Sequence, residues 1–220
     1  ENVVPKESTR VEYGKTLAEL GEQYPKVVVL DADLSGSTQT HRFAKAFPQR
    51  FFNMGVAEQD LMGTAAGLAI GGMIPFASSF AMFATGRAWE QIRQSIAYAG
   101  LNVKIVASHG GVTVGEDGGS HQALEDLGLM RILPNMVVLA PADGPETRAM
   151  TRWAAQYQGP VYMRTGRMPV PLLYGKDYRF QPGRGSILRE GEDVTLMGLG
   201  IMVHACMDAA QILGKEGISA

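Results

Sequence analysis

The sequence predicts an α/β fold, a parallel sheet covered by helices on both faces, followed by the start of a second α/β domain. Three observations predict it. Short runs such as Val27 to Leu30 and Val103 to Ala107 are apolar at almost every position, as strands buried on both faces are. These runs alternate with longer helical stretches, which implies right-handed crossovers between parallel strands. A segment rich in Pro, Gly and Arg, RMPVPLLYGKDYRFQPGRG (167–185), then separates the series from one further strand and helix.

In order, Ser8 is placed to cap a helix over Thr9 to Gln23 that leads into the Val27 to Leu30 strand. Asp31, Asp33, Ser35 and Ser37 follow at its carboxyl end, where open parallel sheets bind ligands. A short helix near Thr40 to Ala46 precedes a strand over Phe51 to Met54, and Asn53 to Ala69 (NMGVAEQDLMGTAAGLA) turns from that strand into a helix of small residues. Glu58 stands at this junction, near the positive end of the helix, where unpaired backbone N–H groups favour an anion. Taken alone, such a Glu reads as support for the first helical turn.

Ile74 to Ala77 is the third expected strand, Phe80 to Tyr98 a long helix, and Val103 to Ala107 the fourth strand, followed by the Gly-rich loop 110–119. A helix is expected to begin near Ser120, a fifth strand spans Met136 to Ala140, and Asp143 with Pro145 announces a helix to Tyr157. Val161 to Arg164 closes the series. The reading is a main domain over residues 1–170, a linker over 171–185 and the beginning of a second domain over 186–220, with a strand at Val194 to Gly198 and a helix at Val203 to Leu213. One strand and one helix cannot bury their own apolar faces, so the second domain reads as incomplete.

A net charge of -2 argues against nucleic acid or an anionic membrane as the main partner. The single cysteine, Cys206, allows no internal disulfide, and the apolar run 65–77 is too short to span a bilayer. The cytoplasm is the expected compartment.

Three motifs, in this order, carry a resemblance to the transketolase family: GVAEQDLMGTAAGLA (55–69), SSFAMF (78–83) and GEDGGSHQ (115–122). The chain resembles the pyrimidine-binding domain plus the start of the C-terminal domain, as in split, two-subunit transketolases. The resemblance implies thiamine diphosphate as cofactor, with Glu58 as the carboxyl group that hydrogen-bonds the pyrimidine and drives its tautomer shift. Phe83 would stack on the pyrimidine with Phe80 beside it, and Asp33 would lie near the cofactor. Without the motif, Phe80 and Phe83 read as ordinary core residues and Asp33 as a helix cap like Asp31.

It also implies that Asp117 and His121 bind sugar hydroxyls, with His121 assisting proton transfer. His109, Arg164, Arg10 and Ser37 would hold the substrate phosphate. Two positions depart from the family pattern: Gly86 replaces a tyrosine of the aromatic cradle, and Gly110 stands where aspartate is common. The family's diphosphate and magnesium motif, GDG followed by Asn, is not found at its spacing in these residues, and no metal ligand is assigned. A separate N-terminal-section subunit carrying GDG…N is therefore the expected partner, in a homodimer or heterotetramer acting on sugar phosphates. A deoxyxylulose-phosphate synthase, a beta subunit of the pyruvate-dehydrogenase type, and a non-catalytic structural subunit remain the alternatives.

Overall fold

The structure of the chain, a computed structural model, describes residues 5–220; residues 1–4, the first of the expected main domain, lie outside the described residues. In chain order the elements are β1 (Lys6–Glu7), α1 (Thr9–Gln23), β2 (Val27–Asp31), α2 (Ser35–Thr38), α3 (His41–Ala46), β3 (Phe51–Asn53), α4 (Glu58–Ile70) and β4 (Ile74–Phe80). Then come α5 (Ala81–Arg87), α6 (Trp89–Gln91), a π-helical segment Ile92–Ala97, β5 (Lys104–Ser108), α7 (Asp126–Arg131) and β6 (Val137–Leu139). The chain continues through α8 (Gly144–Gln156), β7 (Val161–Arg164), β8 (Val170–Pro171) and α9 (Met202–Lys215).

The main sheet has six strands in the order β3-β2-β4-β5-β7-β6, every neighbouring pair parallel. Side chains alternate between its two apolar faces, as the period-2 geometry of a strand requires. Leu30, Ala77, Ile105 and Tyr162 point into one core with α4, α5 and α7. Val29, Phe76, Val106 and Met163 point into the other with α1, α3 and α8. The parallel, doubly covered sheet expected from the apolar runs is thus the fold observed.

The chain leaves β2 for β3 on one side, then crosses to β4 on the other. That reversal opens a crevice at the carboxyl ends of the strands, the place where such sheets take ligands. The register lines those ends up: Asp31 pairs with Asn53 and with Ser78, Phe80 with Ser108, and Ala107 with Arg164.

Four local expectations are corrected. Val194 to Gly198 forms no strand, since among the described residues no strand lies alongside it and a single bond, from the Val194 N–H to the Ser219 carbonyl at 3.3 Å, is not a ladder. The helix expected over Phe80 to Tyr98 begins at Ala81, breaks at Ala88 and ends as a π-helix. At the break Ala88 is fully buried, and Trp89 turns its indole N–H to the Leu129 carbonyl at 3.1 Å. Ser8 sits at the N-cap of α1, but its hydroxyl reaches the Arg167 carbonyl instead of a helix N–H. Ser120 lies in a single 3-10 turn, Gly119–His121, and the α-helix starts only at Asp126.

Candidate active site

Glu58 is the first residue of α4, directly after the β3 turn, and its side chain is only 4 % exposed. Among the described residues its carboxylate receives only long contacts, from Arg87 Nη1 at 3.4 and 3.5 Å. A buried carboxylate with so little compensation fits a further planar donor, because an unpaired buried charge is costly.

Beside it, Phe83 of α5 carries the Arg87 guanidinium over its ring at 4.2 Å. Phe80, the last residue of β4, stacks against His109 with ring centroids 4.0 Å apart and lies 6.2 Å from Phe83. His121 meets Phe83 edge-on at 4.9 Å, and its Nδ1 lies 2.9 Å from the Ser120 hydroxyl. Phe80 and Phe83 thus form one ring cluster with two histidines built into it. A Cβ at Gly86 would meet Met82 Cε at 3.5 Å and none of these four rings.

His109 is buried at the end of β5, just before the Gly-rich loop, in the left-handed conformation (φ 61°). Burial first, then the nearby Arg10 cation, lowers its pKa to about 4 against the small opposing effect of Asp117, so the imidazole is neutral near pH 7. Asp33 is likewise left-handed (φ 62°) and accepts a hydrogen bond from the Asn53 side-chain amide at 2.8 Å. Such backbones are uncommon outside glycine and gather at sites. Asp31, by contrast, ties its own loop, accepting from the Leu34 N–H and the Thr38 and Thr40 hydroxyls.

Arg10 of α1 donates to the Ser37 carbonyl at 2.7 Å and, at 3.4 Å, to the Arg167 carbonyl. Burial, then the Arg167 cation, lowers its pKa below the ordinary value. Arg167 itself is paired with Glu116 at 2.5 Å and reaches Asp117 at 3.7 Å. Two guanidinium groups thus gather on the side of the crevice that holds His109, Asp117 and His121.

Arg164 stands apart from the role expected of it. Its guanidinium holds the fully buried Asp126 with two nitrogens, one at 2.9 Å, and also donates to the Ala123 carbonyl at 3.1 Å. Tyr162 completes the group, its hydroxyl donating to Asp126 at 2.6 Å. Gly110 is small because that side chain crosses it: a Cβ there would lie 2.5 Å from Arg164 Cγ.

The expected residues Glu58, Phe80, Phe83, His109, Asp117, His121, Arg10, Ser37 and Asp33 thus occupy one edge of the sheet. Two residues of that edge were not foreseen. Arg87 had a readable signal, its i,i+4 spacing from Phe83. Arg167 stands three residues after Arg164, and nothing in the sequence separates the two.

The fold and a family model together define a pyrimidine-binding α/β domain. The transketolase pyrimidine-binding domain model matches residues 6–171, and the transketolase C-terminal domain model matches residues 183–220. The chain belongs to the transketolase family, whose members depend on thiamine diphosphate.

It is 57 % identical, over 94 % of its length, to a protein described as a transketolase C-terminal section in Methanocaldococcus jannaschii, of which it spans 66 %. It is 42 % identical over 94 % of its length to the 6-deoxy-6-sulfo-D-fructose transketolase subunit SqwH of a Clostridium species, spanning 65 % of that protein. The solved structure of a split-gene transketolase in an inactive β4 tetramer is 60 % identical and superposes with a TM-score of 0.89, over 97 % of this chain and 69 % of that one. The chain therefore spans about two thirds of these relatives. Among its described residues, no helix is long and apolar enough to cross a membrane.

Proposed function

We propose that the chain is the C-terminal-section subunit of a two-subunit transketolase, moving a two-carbon ketol unit from a ketose phosphate to an aldose. The observation that carries this reading is the buried Glu58 carboxylate at the α4 N-terminus, set beside the Phe83 ring at the sheet's carboxyl edge. Glu58 would accept a hydrogen bond from the pyrimidine and share its proton, and Phe83 would offer a ring face to it. Thiamine diphosphate supplies the carbanion chemistry that breaks and makes the carbon–carbon bond. Its diphosphate and magnesium would be held by a separate N-terminal-section subunit, as the split-gene relatives suggest.

This chain's own residues then bind and orient sugar. Asp117 and His121 face the hydroxyls, and neutral His109 hydrogen-bonds without adding charge. The anionic end of the sugar falls to Arg10 and Arg167, since the guanidinium of Arg164 is committed to Asp126. A phosphate, or the sulfonate named for the Clostridium relative, suits such a pair. The compartment is proposed to be the cytoplasm.

The test is to isolate the native complex and assay it with ketose phosphates and aldoses. Ketol transfer that requires both subunits supports the reading. Pyruvate-dependent synthesis of deoxyxylulose phosphate would replace it with the synthase alternative.

A further inference from the structure

Arg87 does more than line the site. Its guanidinium is planar, carries N–H donors, sits over the Phe83 ring at 4.2 Å and points its Nη1 at both oxygens of Glu58. Those are the contacts the aminopyrimidine would make under the proposed function: a stack on an aromatic face and a donor to a buried carboxylate. A ligand touching Glu58 and that face of Phe83 must fill the space the guanidinium fills.

We propose that Arg87 is an internal placeholder for the pyrimidine, neutralising Glu58 until the cofactor displaces it. The contact solves a problem of burial, since a carboxylate 4 % exposed would otherwise face its own desolvation alone. The same contact is easily broken. Its bonds are long, the Arg87 side chain is 52 % exposed, and α5 ends at Arg87, where the helix breaks. Displacement therefore costs little, and the seat is protected rather than blocked.

This inference rests on the thiamine reading, so its test separates the two. Binding of thiamine diphosphate with magnesium is measured by calorimetry in the complex of both subunits, comparing wild type with Arg87→Met and Arg87→Lys. Removing the placeholder raises the competent fraction, so Arg87→Met should bind about three- to tenfold tighter. Arg87→Lys, which keeps the charge but loses the planar fork, should fall between. Equal affinity, or weaker binding by Arg87→Met, overturns the placeholder alone, the second result making Arg87 a cofactor ligand. No binding by any of the three removes the thiamine reading and the placeholder together.

Discussion

Replacing Arg164 and Arg167 in turn should separate architecture from substrate binding. In Arg164→Ala the fully buried Asp126 loses its guanidinium and keeps only the Tyr162 hydroxyl and its backbone surroundings. Breaking a buried ion pair costs about 3 to 5 kcal/mol, and the retained hydroxyl and the 23 % exposure of Arg164 reduce this to roughly 2 to 4 kcal/mol. For a chain of this size each kcal/mol moves Tm by about 2 to 4 °C, so a loss of roughly 5 to 15 °C is expected. Because the two side chains share one interaction, Asp126→Ala in the same chain should cost much less than the sum of the single changes. Arg167→Ala should lower Tm less than Arg164→Ala does, since its charged partners are surface carboxylates that need no compensation and the Val114 carbonyl it also leaves is neutral. In the two-subunit complex it should raise KM for a phosphorylated sugar about ten- to a hundredfold, the loss of one charge-assisted contact. The assays are thermal unfolding of each variant and steady-state kinetics with phosphorylated and unphosphorylated acceptors. If Arg164→Ala unfolds like wild type and selectively impairs the phosphorylated acceptor, the division of labour is wrong.

Two further predictions concern the same edge of the sheet. The folded chain protonates His109 only near pH 4, whereas the unfolded chain does so near 6.5. The unfolded state takes up this proton first as pH falls, so stability should decline between those values, and His109→Asn, which tolerates the left-handed backbone, should remove that part of the slope in denaturant titrations. Gly110→Ala should cost about 1 to 3 kcal/mol by pressing on the stem of Arg164, and the cost should disappear in an Arg164→Ala background, measured by urea unfolding.

The central strands were legible because they are apolar on both faces, so a run such as Val27 to Leu30 has no other stable setting. The start of α8 was legible for a local reason: Asp143 accepts the Glu146 N–H at 2.9 Å and Pro145 lies in the first turn. What depended on distant partners was not. The β1–β8 pair joins residues far apart in the chain, and Val194 to Gly198 has strand-like composition without a neighbouring strand. At the site, Glu58 and the Phe80, Phe83 and His121 positions followed from motifs. The division between Arg164 and Arg167 did not, because it is decided by Asp126, about forty residues away and itself unremarked in the sequence.

The central claim is that Glu58 engages the pyrimidine of thiamine diphosphate, and proton exchange at the cofactor's thiazolium ring tests it most directly. In the two-subunit complex, Glu58→Gln should fold and assemble as wild type does, because the amide keeps the shape of the side chain. Its exchange rate should fall by about 100- to 10,000-fold, the range for a positioned acid or base, since an amide cannot share the proton. Exchange at near wild-type rates in Glu58→Gln would show that Glu58 is only a carboxylate at a helix end, and would contradict the account.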